Sequence, residues 1–69
     1  MKISARNQLK GTVKKITVGA VNSEVLLELP GGAIISSIIT KSAVDSLGLK
    51  EGMIAYAIVK ASNVIIGVD

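Results

Sequence analysis

The first fourteen residues alternate. Ile3, Ala5, Asn7, Leu9, Gly11 and Val13 fall on one parity, and Lys2, Ser4, Arg6, Gln8, Lys10, Thr12 and Lys14 on the other. A period of two marks a long, half-buried strand. Gly11 in its middle predicts a bulge or bend of the kind a small barrel requires. The strand continues through Lys15-Ile16-Thr17-Val18, but the apolar parity slips between Val13 and Ile16. One inserted residue produces such a slip. Gly19 to Ser23 reads as a turn whose small residues let backbone approach a ligand. Glu24 to Leu29 is a second strand with Val25, Leu27 and Leu29 on one face and Leu26 among the glutamates of the other. Pro30-Gly31-Gly32 predicts a hairpin turn. Ala33 to Ile39 is a third strand, apolar on both faces at Ile34, Ile35, Ile38 and Ile39. Such a strand in a small antiparallel sheet calls for cover on both sides, which a second subunit would supply.

Thr40 to Gly48 is the one helical stretch. Thr40 or Ser42 can cap its start, and Val44 and Leu47 face inward. Gly48 suits a left-handed stop and Leu49 the apolar contact that follows it. Glu51-Gly52 turns the chain into a fourth strand from Met53 to about Lys60, and Asn63 to Val68 reads as a fifth. The order predicts an all-β domain over residues 1–69: an OB-type, five-stranded, partly open barrel with one short helix between strands 3 and 4. No tandem repeat, linker or low-complexity segment interrupts it.

Composition adds a constraint. A 69-residue chain buries only about 60% of its unfolded surface, so a lone core is marginal. The chain has no Cys and no His, which removes disulfides and the usual zinc sites. It has no Trp or Phe, and Tyr56 is its only aromatic residue. Yet 49% of it is hydrophobic and its mean hydropathy is +0.60. The longest apolar run, Met53 to Val59, is far short of the roughly 20 residues of a membrane helix. No basic segment followed by an apolar one opens the chain, so a signal peptide is not expected and the cytoplasm is the default location. The surplus apolar surface therefore predicts a homo-oligomer. A net charge of +3 weakly favours an anionic partner. Only Lys14 and Lys15 are adjacent, and they read as a solvated edge.

Nothing resembles catalytic machinery. The five carboxylates, Glu24, Glu28, Asp45, Glu51 and Asp69, show no paired motif. No Gly-rich loop precedes a helix in the nucleotide-binding manner. An OB-type barrel raises single-stranded nucleic acid as a partner, but one tyrosine provides no stacking platform. Two small clusters at opposite ends of the sequence fit a tetrahedral oxyanion better: Ser4-Ala5-Arg6-Asn7 and Lys60-Ala61-Ser62-Asn63. Arg6 and Lys60 offer charge. Ser4, Ser62, Thr40 and Ser42 offer hydroxyls. Ala5, Ala20, Val21 and Ala61 offer N–H groups unobstructed by long side chains. Ordinary strand ends with solvated polar residues, and plain helix caps at Thr40 and Ser42, account for the same residues without a ligand.

At these residues the chain resembles the molbindins, small cytoplasmic molybdate-binding proteins built on a Mop/TOBE-type domain. The resemblance runs through Ser4-Ala5-Arg6-Asn7-Gln8-Leu9-Lys10-Gly11, Gly19-Ala20-Val21-Asn22-Ser23-Glu24-Val25, Ile39-Thr40-Lys41-Ser42, Leu47-Gly48-Leu49 and Lys60-Ala61-Ser62. It implies an OB-type barrel assembled as a hexamer, a trimer of strand-exchanged dimers. It also implies oxyanion sites between subunits that take molybdate or tungstate for storage or homeostasis, with no catalysis. Ser4, Ala5, Arg6 and Asn7 would share one site with Lys60, Ala61 and Ser62; Ala20 and Val21, with Thr40 and Ser42, would also bind oxyanion, but more than one type of site is implied and they are not allotted to a particular one. A second resemblance, over Lys41 to Val68, is to swapped-hairpin DNA-binding transcription regulators, which the first thirty residues fit poorly. A purely structural oligomerisation domain is the third reading.

Overall fold

The computed structural model describes residues 1–69. The chain forms β1 (Asn7–Val18), β2 (Asn22–Glu28), β3 (Ile34–Thr40), α1 (Lys41–Leu47) and β4 (Ile54–Val59), followed by a 3-10 turn at Ala61–Asn63. One antiparallel sheet holds every strand in the order β3-β2-β1-β4. The twelve-residue β1 is its organiser, pairing with β4 along its first half and with β2 along its second.

The parity slip in β1 is a bulge. Val13 pairs with Leu27 and Lys15 with Leu26, so Lys14 has no residue opposite it. The extra residue keeps Val13, Ile16 and Val18 on the inner face, across from Leu27, Val25 and Ser23. The turn before β4 closes the bulge. Gly52 N–H donates to the Val13 carbonyl at 2.7 Å, Val13 N–H to Met53 O at 2.9 Å, and Ile16 N–H to Glu51 Oε2 at 3.2 Å. Gly11 serves a different purpose from the bulge its position predicts. A Cβ there would lie 2.5 Å from the Glu28 carbonyl oxygen and 3.0 Å from Leu27 Cγ. Gly11 lets β1 and β2 approach closely, and its pairing with β4, opposite Ala55, is regular.

Gly31 and Gly32 close the β2–β3 hairpin with φ of 94° and 99°. α1 begins and ends as its sequence dictates. Thr40 is the cap, its Oγ1 accepting from Ala43 N–H at 3.0 Å. Gly48 takes the left-handed conformation (φ 63°), with Gly48 N–H donating to Asp45 O and Leu49 N–H to Val44 O, both at 3.1 Å. These are the two bonds of a Schellman stop.

The core is small. Only Val13, Val25, Leu27 and Val44 are buried large apolar residues, flanked by Ile16, Leu29, Ile35, Ile39, Leu49, Met53, Ala55 and Ala57. The sheet curls so that β3 and β4, its two edges, face each other across an apolar hollow of about 300 Å³. Leu47, expected inward, lies at the rim of this hollow and is largely exposed.

The expected fifth strand does not form. Asn63 belongs to the 3-10 turn, closed by Asn63 N–H to Lys60 O (2.8 Å) and Val64 N–H to Ala61 O (3.2 Å). Beyond it, residues 64–69 pair with nothing, and Ile65, Ile66 and Val68 are 92%, 83% and 95% exposed. Asn63 to Val68 has strand composition, but a strand needs a free edge within reach. Past the turn the segment pairs with neither edge of its own sheet.

Candidate functional site

Antiparallel pairing of β1 with β4 joins the two clusters that stand far apart in the sequence. Asn7 pairs with Val59, the last pair of the ladder, so Arg6 and Lys60 each lie one residue beyond it and both clusters leave the sheet at the same end. Asn7 Nδ2 donates to the Val59 carbonyl at 3.2 Å and fastens the junction. Gln8 Nε2 donates to the Ala5 carbonyl at 3.0 Å and fixes the turn into β1. The Gln8 contact is not signalled in the alternation, which marks Gln8 only as a polar-face residue.

Around this junction the N–H groups of Ser4, Ala5, Arg6, Lys60, Ala61 and Ser62 donate to no other group of the chain. Arg6 and Lys60 form no ion pair; the single salt bridge is Lys14 to Glu28 at 3.6 Å. Two cations, two serine hydroxyls and a set of unpaired N–H groups thus lie at one end of the sheet. Uncompensated donors of this kind suit an anion, which accepts several hydrogen bonds and offsets the charge.

A second group assembles at the opposite end of β1. Gly19 N–H donates to Asn22 O at 2.9 Å, leaving Ala20 and Val21 at the tip of the turn with their N–H groups unpaired. Asn22 pairs with Thr40, and Lys41 N–H donates to Val21 O at 2.8 Å. These contacts bring Ala20 and Val21 beside Thr40 and Ser42. The Thr40 hydroxyl accepts from Ala43 N–H and retains its own proton for donation. Ser23 lies next to this group, buried, and its hydroxyl has no hydrogen-bond partner in the chain.

One chain therefore presents two partial donor sets separated by the length of β1. All the residues concerned are exposed except Ala5 and Asn7, which are half-buried. Neither concavity of the chain includes any of them. No group of three or more His, Cys, Asp or Glu side chains lies together. No helix is long and apolar enough to cross a membrane.

A family model for the TOBE domain matches residues 3–66. A probable molybdenum-pterin-binding protein of Haemophilus influenzae is 51% identical over 69 residues, spanning 100% of both chains. The structure of MopII from Clostridium pasteurianum superposes with a TM-score of 0.92 at 49% identity, covering 97% of this chain and 100% of that one. The cytoplasmic molybdate-binding protein ModG, solved with molybdate bound, superposes with a TM-score of 0.94 at 59% identity, covering 100% of this chain and 49% of that one. The match takes in the first thirty residues, which a swapped-hairpin regulator leaves unexplained, and that alternative is not favoured. The chain belongs to the TOBE domain family and is of its molbindin type.

Proposed function

We propose that this chain binds molybdate, and tungstate with it, as an intact oxyanion at sites completed between subunits of a cytoplasmic homo-oligomer. It acts in storage or homeostasis and catalyses no reaction. What supports this reading is that Ser4-Ala5-Arg6 and Lys60-Ala61-Ser62 leave the β1–β4 ladder at the same end, with N–H groups that find no acceptor in the chain. A desolvated dianion needs many short hydrogen bonds and nearby positive charge. The first cluster supplies both, yet on one chain it remains open to solvent. A second subunit would close it. Asn7, whose amide already serves Val59, would hold the junction. Ala20, Val21, Thr40 and Ser42 would form the second kind of site.

The molbindin-type hexamer, a trimer of strand-exchanged dimers, agrees with two features of the chain. The hollow between β3 and β4 leaves the barrel open where a fifth strand would lie. The apolar segment 64–69 has strand composition and no place in its own sheet. An exchanged segment from a neighbour would answer both and complete the five-stranded OB-type barrel.

Calorimetric titration with molybdate, joined to native mass measurement, tests this. Binding by the wild-type oligomer is expected, and Arg6→Ala and Lys60→Ala should each lose at least about 1 kcal/mol, the scale of a hydrogen bond to a charged group. Unchanged affinity in both variants would reject the assignment.

A further inference from the structure

One hydrogen bond in the chain is accepted by sulfur. Lys50 N–H donates to Met53 Sδ at 3.1 Å. The turn closed by this contact does more than reverse the chain. Met53 N–H donates to the Lys50 carbonyl at 3.2 Å, and Gly52 takes a φ of 93° to complete the reversal. From this turn come three bonds that fasten the β1 bulge: Gly52 N–H to Val13 O, Val13 N–H to Met53 O, and Ile16 N–H to Glu51 Oε2. Met53 is half-buried and packs against the core cluster that includes Val13, itself 1% exposed. β4 begins at the next residue, Ile54. One residue thus serves the turn, the bulge and the core where β4 starts its return along β1.

We infer that Met53 is an oxidation-sensitive latch: a peroxide that reaches its half-buried sulfur converts it to the sulfoxide and frees the start of β4 from the β1 bulge. The latch goes beyond the oxyanion reading and would act in a chain that binds no anion. The step balances as follows. A sulfur lone pair attacks one peroxide oxygen, the S–O bond forms as the O–O bond breaks, and the second oxygen leaves as water with both hydrogens. Sulfur loses two electrons and the peroxide gains them. The new oxygen has no place on either side of the sulfur. Toward Lys50, an N–H···O bond spans about 2.7–3.2 Å from nitrogen to oxygen. The nitrogen and sulfur are only 3.1 Å apart, so an oxygen between them would push the sulfur back by nearly the length of the S–O bond. Toward the core lie Val13, Val25, Leu27 and Val44, which offer no side-chain donor, and a polar group unpaired there is costly. The sulfoxide must swing to solvent. That leaves Lys50 N–H without its acceptor and opens a gap beside Val13. A leucine at this position would fill nearly the same volume and could not respond. The chain has no cysteine and one other methionine, Met1, which is 69% exposed and precedes the sheet. Met1 is a built-in control for oxidation without consequence.

The test exposes the folded wild-type chain to dilute hydrogen peroxide. The tryptic peptide Glu51–Lys60, which separates Met53 from Met1, is then weighed for the gain of one oxygen. With that gain, amide exchange at Val13, Ile16 and Gly52 should become several-fold faster, while exchange at Leu29 and Gly32 in the β2–β3 hairpin should hold. The melting temperature should fall at fixed chain concentration. Treatment with two methionine sulfoxide reductases, one for each epimer, should restore both readings. Met53→Leu should keep its melting temperature through the same exposure, although its Met1 is oxidised. A Met53 sulfoxide with unchanged exchange and melting would overturn the inference. So would a Met53 that stays reduced while Met1 is oxidised, or a Met53→Leu chain that loses as much stability as wild type. A sulfoxide removed by the reductases without recovery of exchange or melting would mark a lesion and not a latch, and would overturn it too.

Discussion

Gly11→Ala is the smallest change that should be felt throughout the sheet. The added Cβ would stand 2.5 Å from the Glu28 carbonyl oxygen, 3.0 Å from Leu27 Cγ and 3.1 Å from the Glu28 carbonyl carbon. Ordinary contact begins near 3.4 Å, so the shortfall is close to an ångström against backbone. Backbone cannot swing aside as a side-chain tip can. β1 must separate from β2 at the point where β4 also pairs with it, through Gly11 and Ala55. Overpacking of this kind costs about 1–3 kcal/mol. Against it stands a gain of about 0.4–1 kcal/mol from the stiffer unfolded chain. A net loss of about 1–2 kcal/mol remains, or about 5–15 °C in Tm for a domain of this size. The assay is thermal unfolding by circular dichroism at fixed chain concentration, since an oligomer's Tm depends on concentration. A Gly11→Ala protein as stable as the wild type at the same chain concentration would show that no close approach exists there.

Thr40→Ala removes the hydroxyl that caps α1 and should lower stability by about 1 kcal/mol in a denaturant titration. Under the proposed function it should also weaken molybdate uptake at the second kind of site, read by calorimetry. Glu51→Ala frees the Ile16 N–H at the bulge and should cost about 0.5–1.5 kcal/mol, with faster amide exchange confined to β1 around Ile16 as the check. Deleting residues 64–69 should reduce the native mass and release the exchanged dimer, while an unaltered mass would remove that segment from the assembly. Binding to duplex DNA should stay negligible at low salt. A steep log-linear salt dependence would instead bring back the regulator reading.

The local elements were legible because each rests on neighbouring residues. The alternation of β1 and the parity slip at Lys14, the Pro30-Gly31-Gly32 hairpin, the Thr40 cap and the Gly48 stop are short-range chemistry, and the folded chain carries all of them. What failed was whatever depends on distant backbone. Gly11 looked like a bulge because a glycine within a strand signals either a bend or a close approach, and only the position of Glu28 decides which. Asn63 to Val68 looked like a strand because composition reports a preference for pairing and not the presence of an edge. The junction of the two clusters is intermediate. Their chemistry was visible as residue types, but their adjacency follows from the register of Asn7 with Val59, which no local pattern encodes.

The strand order has a consequence for the route by which the chain folds. β1, β2 and β3 follow one another as a meander with short turns, whereas β4 returns across 52 residues to set Val59 beside Asn7. Loop-closure entropy rises with the length of the loop, so the meander should nucleate first and β4 should dock late. The basic junction exists only after that docking. An oxyanion held there would slow unfolding and leave the refolding rate nearly unchanged, because the transition state would not yet contain its binding site.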